Sequence, residues 1–303
     1  MHNTRTPVIA TTADHLNRLV FNALQEDGPN CDLNWIDVSR IQDFERLFER
    51  TAFNGDVSTW NTSQGLNFDS MFAQSLFTGD ISNWDVGMAL TMTGMFQDSP
   101  FNADISRWNV AKVQDMNRMF KNSPFHGDVS SWNTASLREA ERMFESSEFH
   151  GDVAGWNVSK LNNTQRMFCT PSFHGDLSEW RLPSRVLHEA MVHPTFCGIL
   201  PLIEHYDMHD AGAKMLGGVG QLNAYALRAP FGPVHAQLLV ADPTRCSWAS
   251  REDVRWAQEM REMGRAVGMG RYALVQLMVE QKRQGPAVSM GAAGALFESE
   301  HGL

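Results

Sequence analysis

The stretch FHGDVSSWNTASLREAERMFESSEFHGDVAGW, Phe125 to Trp156, says nearly the same thing twice: F-H-G-D-V opens it and returns 24 residues later. The step is not confined to this stretch. Trp60, Trp84, Trp108, Trp132, Trp156 and Trp180 keep it, with Trp35 one residue further off, and so do Asp56, Asp80, Asp104, Asp128, Asp152 and Asp176. Phe53, Phe77, Phe101, Phe125, Phe149 and Phe173 follow, as does a Met-Phe pair from Met71-Phe72 to Met167-Phe168, with Leu47-Phe48 as its first variant. Self-similarity at a fixed period of this length marks a stacked-repeat architecture. About seven coils are written between Cys31 and Ser184.

Inside one repeat, FNADISRWNVAKVQDMNRMFKNSP (Phe101 to Pro124), two spacings alternate. Ile105, Trp108 and Val110 follow L-x-x-L-x-L, which predicts a short strand around Trp108 to Val110 with alternate residues facing a core. Val113, Met116, Met119 and Phe120 sit at i, i+3, i+6 and i+7, the stripe of a short helix. One such unit cannot bury its apolar side alone, whereas stacked units make a continuous core. Parallel strands ~4.8 Å apart turn seven coils into a curved slab roughly 30 Å long. The expected fold class is therefore α/β, a leucine-rich-repeat-like solenoid.

The motif MFQDSPFNADISRWNV, Met95 to Val110, resembles the BspA-like leucine-rich-repeat surface-protein family, and CDLNWIDVSRIQDFERLF, Cys31 to Phe48, is similar to that family's first coil. The resemblance covers residues 31–184. It implies a solenoid with binding or adhesion roles, often at a cell surface. The chain departs from the pattern by lacking the signal peptide or lipid anchor of surface members and by adding about 119 residues after the repeats.

A chain of 303 residues with 43% apolar composition buries a sizeable core and is not disordered. Its net charge of -10 argues against nucleic acid. No continuous apolar run is long enough to span a membrane, and the N-terminus has no export signal, so the expected location is soluble and cytoplasmic, with delivery by a non-classical route left open. Four cysteines without a C-x-x-C pair suggest neither a disulfide framework nor a zinc site.

A residue type recurring in every coil is most simply one that every coil needs. The repeated Asp is expected to accept backbone N–H groups in a tight turn, and Ser58, Ser82, Ser106, Ser130 and Ser178, two residues later, belong to the same turn. His126, His150 and His174 occupy a slot that Asn54, Thr78 and Asn102 fill equally, which reads as an exposed polar position rather than a metal site. Functional information is expected in the variable slots flanking Trp. By the leucine-rich-repeat analogy these project onto a concave sheet, and Asn83, Asp85, Arg107, Asn109, Ser131 and Asn133 form its polar, mostly uncharged centre. Either this is a docking surface, or the Asn column bonds to itself as a ladder.

At the N-terminus, residues 1–30, Leu16, Leu19, Val20, Phe21 and Leu24 form a helical stripe that stops at Gly28 and caps the first coil. Residues 185–303 read as a mainly helical cap or small domain. Trp256, Met260, Met263 and Val267 predict one helix starting at Ser250 and Asp253, and a second is expected over Tyr272 to Lys282. His188 and His193 miss the spacing of a zinc helix, whereas His205 and His209 are four apart. GAKMLGGVG has no G-K-[ST] ending and does not read as a phosphate loop. The expectation is a non-enzymatic protein-binding solenoid of adhesion, effector or inhibitor type, without cofactor or metal, recognising a protein partner. The alternative is an enzyme or metal-binding site in the His-rich part of 185–303, with the repeats as targeting arm.

Overall fold

The computed structural model describes residues 5–183, 186–196, 198, 200–203, 213–218, 222, 225, 229, 232–241, 246, 249–269 and 271–284. A two-residue strand β1 (Val8–Ile9) leads into helix α1 (Ala13–Asp27), and β1 lies parallel to β2 (Ile36–Asp37). The regular coils follow. At their far end β3 (Arg181–Leu182) lies parallel to β4 (Leu202–Ile203). Helices α2 (Pro233–Ala241), α3 (Arg251–Ala266) and α4 (Arg271–Gln284) then pack on one another.

The coils stack in parallel at the sequence period. Bridges join Asp43 to Asn67, Asn67 to Thr91, Thr91 to Asp115, Asp115 to Glu139, Glu139 to Asn163 and Asn163 to Leu187. In one coil the backbone donors alternate between two destinations. The N–H groups of Met116, Arg118, Phe120 and Asn122 donate to the carbonyls of Glu139, Glu141, Met143 and Glu145 in the next coil at 2.8–2.9 Å. Those of Met119, Lys121 and Ser123 turn back three residues, to Met116, Arg118 and Phe120 at 3.1–3.2 Å.

This pattern replaces the helix expected over Val113 to Phe120. Tight turns place an inward residue about every three positions, the same spacing a helical stripe gives, but half of the N–H groups leave the coil for its neighbour. The backbone reaches that arrangement through left-handed residues four apart. Arg46 and Arg50, Ser70 and Gln74, Arg118 and Asn122, and Arg142 and Ser146 all have φ of 53–58°. A side chain in that region costs roughly 1 kcal/mol. Each of these N–H groups gains a carbonyl in the next coil, which offsets the cost.

The strand expected at Trp108 to Val110 is also not formed in that coil. Its counterparts exist only where a coil meets something other than a regular repeat, as β2 after Trp35 and β3 after Trp180. Inside the stack the segment before Trp is a turn, closed by Trp108 N donating to the Ile105 carbonyl at 3.1 Å.

The core explains the period. Phe48, Phe72, Phe96, Phe120, Phe144 and Phe168 stack with ring centroids 5.3–5.8 Å apart. Phe53, Phe77, Phe101 and Phe125 form a second ladder at 5.8–6.5 Å, taken up again by Phe149, Phe173 and Phe196. The tryptophans of the regular coils are buried, and their indole N–H groups donate to a carbonyl 27 residues earlier: Trp84 to Val57, Trp108 to Ile81, Trp132 to Ile105 and Trp156 to Val129, at 3.0–3.2 Å. A buried indole needs such an acceptor, and the preceding coil supplies it. Trp35 is preceded by the N-terminal segment instead; its Nε1 is buried and has no hydrogen-bond acceptor among the described residues, and Arg5 lies 5.0 Å over the ring.

Coil-to-coil contacts do not stop at the expected boundary near 184. Phe168 bridges Val192, Ala190 N donates to the Lys214 carbonyl at 2.7 Å, and Phe196 stacks on Tyr225 at 6.0 Å. The Tyr225 hydroxyl donates to the Gly198 carbonyl at 2.9 Å, and its ring lies 5.6 Å from that of His235 in α2. The aromatic ladder thus runs from the coils into the helical region.

Helix α1 starts at Thr12, whose hydroxyl accepts His15 N, and ends at Gly28 with φ 81°. Leu16, Val20 and Ala23 face the core, while Phe21, expected there, is 61% exposed. Helix α3 carries the Ser250 and Asp253 capping box that the sequence predicts. Its Met260 is buried, whereas Val267, expected on the same stripe, lies past the last turn and is exposed. Helix α4 contains the segment expected from Tyr272 to Lys282.

Candidate functional site

The repeated aspartates build the turns. Asp80, Asp104 and Asp128 each place Oδ1 2.9 Å from the backbone N of the serine two residues on, which donates to it. The N–H and hydroxyl of that serine hold each carboxyl below the usual aspartate range. The row is therefore accounted for by the backbone it caps.

The six residues predicted for the binding face, Asn83, Asp85, Arg107, Asn109, Ser131 and Asn133, are all exposed and lie in rows across three successive coils. They stand on turns, not on a sheet, because the parallel bridges run through the 43, 67 and 91 positions instead. Four of them do structural work. Oδ1 of Asp85, Asn109 and Asn133 accepts from the backbone N of Gly87, Ala111 and Ala135 at 2.9–3.2 Å, closing a turn within the coil rather than forming an Asn ladder between coils. The Ser131 hydroxyl donates to the Ser106 carbonyl of the preceding coil at 3.0 Å. Asn83 and Arg107 make no side-chain hydrogen bond or ion pair among the described residues, although the Arg107 charge helps to lower Asp104. Arg107 is thus a cation on a rigid turn with its donors facing water.

The histidine slot forms a side-chain row. His126 and His150 stack with centroids 5.8 Å apart, and each Nδ1 lies 3.0 Å from a carbonyl two residues back, Pro124 and Glu148. Stacked rings hold their remaining nitrogens side by side, whereas a tetrahedral cation needs them to converge. Among the described residues no group of three or more His, Cys, Asp or Glu side chains is placed to hold a metal ion. His188 is buried, with Nδ1 2.9 Å from the Val186 carbonyl, and burial pushes its pKa down. Burial pushes the Cys31 and Cys169 thiols up, the direction opposite to an activated nucleophile. His205, His209 and Cys197 lie outside the described residues.

The face that carries the parallel bridges was not singled out from the sequence, and it holds a charged network. Glu145 is buried, with its carboxylate 2.5 Å from Arg166 Nε, 3.3 Å from Lys121 Nζ and 3.7 Å from an Arg142 guanidinium nitrogen. Glu141 adds contacts to Arg142 at 3.0 Å and Arg118 at 3.6 Å. The network ties three coils together, with two carboxylates shared among four cations. On the same face Asp69 accepts from Thr91 Oγ1 at 2.5 Å and Thr93 N at 2.7 Å, and burial still pushes its carboxyl up. Burial and the charge of Asp115 raise Glu139. The signal for this face is in the sequence, as the acidic and basic residues between the inward Met and Phe positions, but it becomes legible only with the register of the bridges.

No helix among the described residues is long and apolar enough to cross a membrane. The family model described as "Mycoplasma protein of unknown function, DUF285" matches the chain twice, over residues 17–124 and 100–195. No curated protein and no solved structure matches it.

Proposed function

This chain belongs to the DUF285 family of repeat proteins, and from that premise we propose that it is a non-enzymatic protein-binding solenoid of the leucine-rich-repeat, BspA-like type. In this reading the protein is soluble and cytoplasmic, and binds one protein partner through exposed rows of its coils in an adhesion, effector or inhibitor role. The observation that carries the reading is the division of labour along each coil. Buried slots repeat the same residue type from coil to coil, whereas the exposed slot before Trp, filled by Asn83, Arg107 and Ser131 in successive coils, changes at each step while keeping a fixed spacing. A rigid scaffold with varying exposed side chains supplies a pre-organised docking surface, which limits the ordering cost of association.

The test is capture from an extract of the native host on the immobilised full chain, followed by saturation binding and cross-linking of the captured partner. The expected result is a saturable partner cross-linked to exposed coil positions, with Arg107→Ala weakening it by about 1–2 kcal/mol and leaving the melting temperature unchanged. Failure to obtain any saturable partner contradicts the reading.

A further inference from the structure

The corner of each coil between the Trp-flanking turn and the bridged face carries two exposed columns. One runs through Met88, Lys112 and Lys160, the other through Leu66, Leu90 and Arg138. The second column is fixed coil to coil by the backbone: Leu90 N donates to the Leu66 carbonyl at 2.8 Å, Gln114 N to Leu90 at 2.8 Å and Arg138 N to Gln114 at 2.9 Å. The first is joined within itself, where Lys112 Nζ lies 2.9 Å from Met88 Sδ in the preceding coil. From position 64 to position 162 neither column contains an Asp or Glu, in a chain whose net charge is -10.

The corner is also unlike the bridged face in how its charges are used. There Arg118, Lys121, Arg142 and Arg166 are each paired with Glu141 or Glu145. Lys112, Arg138 and Lys160 are exposed and form no ion pair among the described residues. Met88 and Leu90 are each 41% exposed, and Leu90 is hydrogen-bonded through the backbone to half-buried Leu66, so the apolar end of the stripe occupies two adjacent coils. The stripe is polar along the stack: apolar over the coils of Leu66 and Leu90, cationic over those of Lys112, Arg138 and Lys160.

We infer that this stripe is the docking site for an acidic protein segment with an apolar anchor, the anchor seated on Leu66, Met88 and Leu90 and the carboxylates on Lys112, Arg138 and Lys160. The inference rests on the protein-binding reading and names its surface and partner chemistry. Charge complementarity selects the occupant. An acidic segment meets three unpaired cations along one edge here, in a chain whose net charge is -10, so it is steered to this corner. Four coil steps of ~4.8 Å separate Leu66 from Lys160, about 19 Å, which an extended segment of about six residues spans. The apolar contact supplies affinity once water is excluded, and the flanking charges fix direction.

The experiment pans a phage-displayed random twelve-residue library on the full chain, then measures a synthetic enriched peptide against the wild type, Met88→Ser/Leu90→Ser and Arg138→Glu/Lys160→Glu. The expected result is enriched sequences that place apolar residues beside at least two acids, with Kd raised at least tenfold by either double substitution and melting temperatures unchanged. Enrichment of sequences without acids, or equal affinity for all three proteins, overturns the inference. Vesicles containing 30% phosphatidylserine form a parallel arm; binding to them that Arg138→Glu/Lys160→Glu abolishes, with no peptide enriched, assigns the stripe to an anionic membrane and overturns it too. Cross-links of a captured native partner elsewhere on the coils, with no peptide enriched, refute the stripe and leave the protein-binding reading standing.

Discussion

In the coils a backbone N–H finds its partner 23 residues further on, as Arg118 does with Glu141, whereas in helix α3 Val254 N reaches only four residues back, to Ser250. The same contrast holds for side chains. The Trp108 indole donates to the preceding coil, while Ser250 caps α3 from within its own first turn. A helix with a capping box specifies much of its structure locally. A coil specifies less of its own, because half of the donors along its bridged face, its column stacking and its indole acceptors belong to neighbours. The stack therefore stands as an array of mutually dependent units, and damage at one coil is felt on both sides of it.

The sharpest way to break that contrast is to remove one tryptophan from each region. Trp108→Ala deletes a buried aromatic together with its bond to Ile81 and is expected to cost ~3–5 kcal/mol. Trp256→Ala in α3 removes a half-buried ring that donates to Gln281 at 3.3 Å and lies under Lys282, and is expected to cost about 1–2 kcal/mol. Chemical denaturation of the two variants measures both. Equal losses would mean the coils are no more interdependent than the helices.

A smaller effect is expected at Glu145→Gln. The substitution keeps the shape but leaves Lys121, Arg142 and Arg166 facing one another across three coils. Those cations are 21–44% exposed, so solvent screens them and the expected loss is about 1–2 kcal/mol, falling as salt is raised. A melting temperature indifferent to the substitution at low salt would show that the network does not fasten the coils.

The smallest effect has the opposite sign. Asp69 accepts from Thr91 and Thr93 through Oδ1, and Asn117, one of its counterparts in the same column, makes the equivalent bond to Glu141 N at 2.6 Å without a charge. Burial raises the Asp69 carboxyl in the folded state. A raised folded pKa adds stability that is complete below the unfolded value near 4 and is lost as pH rises through the folded value. Asp69→Asn is therefore expected to stabilise the protein at pH 7 by up to about 1 kcal/mol, with the gain vanishing below about pH 4. Melts at pH 3.5 and pH 7 read the difference, and a loss at pH 7 would contradict the assignment.

The period, the core columns and the turn role of the repeated Asp were legible because the same residue type answers the same packing demand in every coil. The conformation within a coil was not. Val113, Met116, Met119 and Phe120 have one spacing in a helix and in a succession of tight turns, and no side-chain pattern separates the two. The coil after 184 was hidden for a different reason: it keeps Met191-Val192 in place of Met-Phe and Phe196 at a step of 23, but has no Asp-x-Ser-x-Trp. For the exposed rows the sequence located Asn83 and Arg107 at the surface. It did not show that Asp85, Asn109 and Asn133 close turns, since an Asn free to bind and an Asn capping a turn look alike in one dimension. The corner stripe carried a readable mark, two columns without acids in an acidic chain, but the columns themselves emerge only when residues are aligned by coil.

Amide hydrogen exchange resolved to single residues tests the central claim, that each coil is held by its neighbour, more directly than any substitution. The N–H groups of Met116, Arg118, Phe120 and Asn122 donate across to the next coil, and those of Phe68, Ser70, Phe72 and Gln74 do the same two coils earlier. The account predicts that these two sets exchange slowly and together, at the rate of opening of the whole stack, while amides in α3 and α4 exchange on their own schedule. Fast exchange at Arg118 and Asn122, or protection confined to one coil and absent from the other, would contradict it.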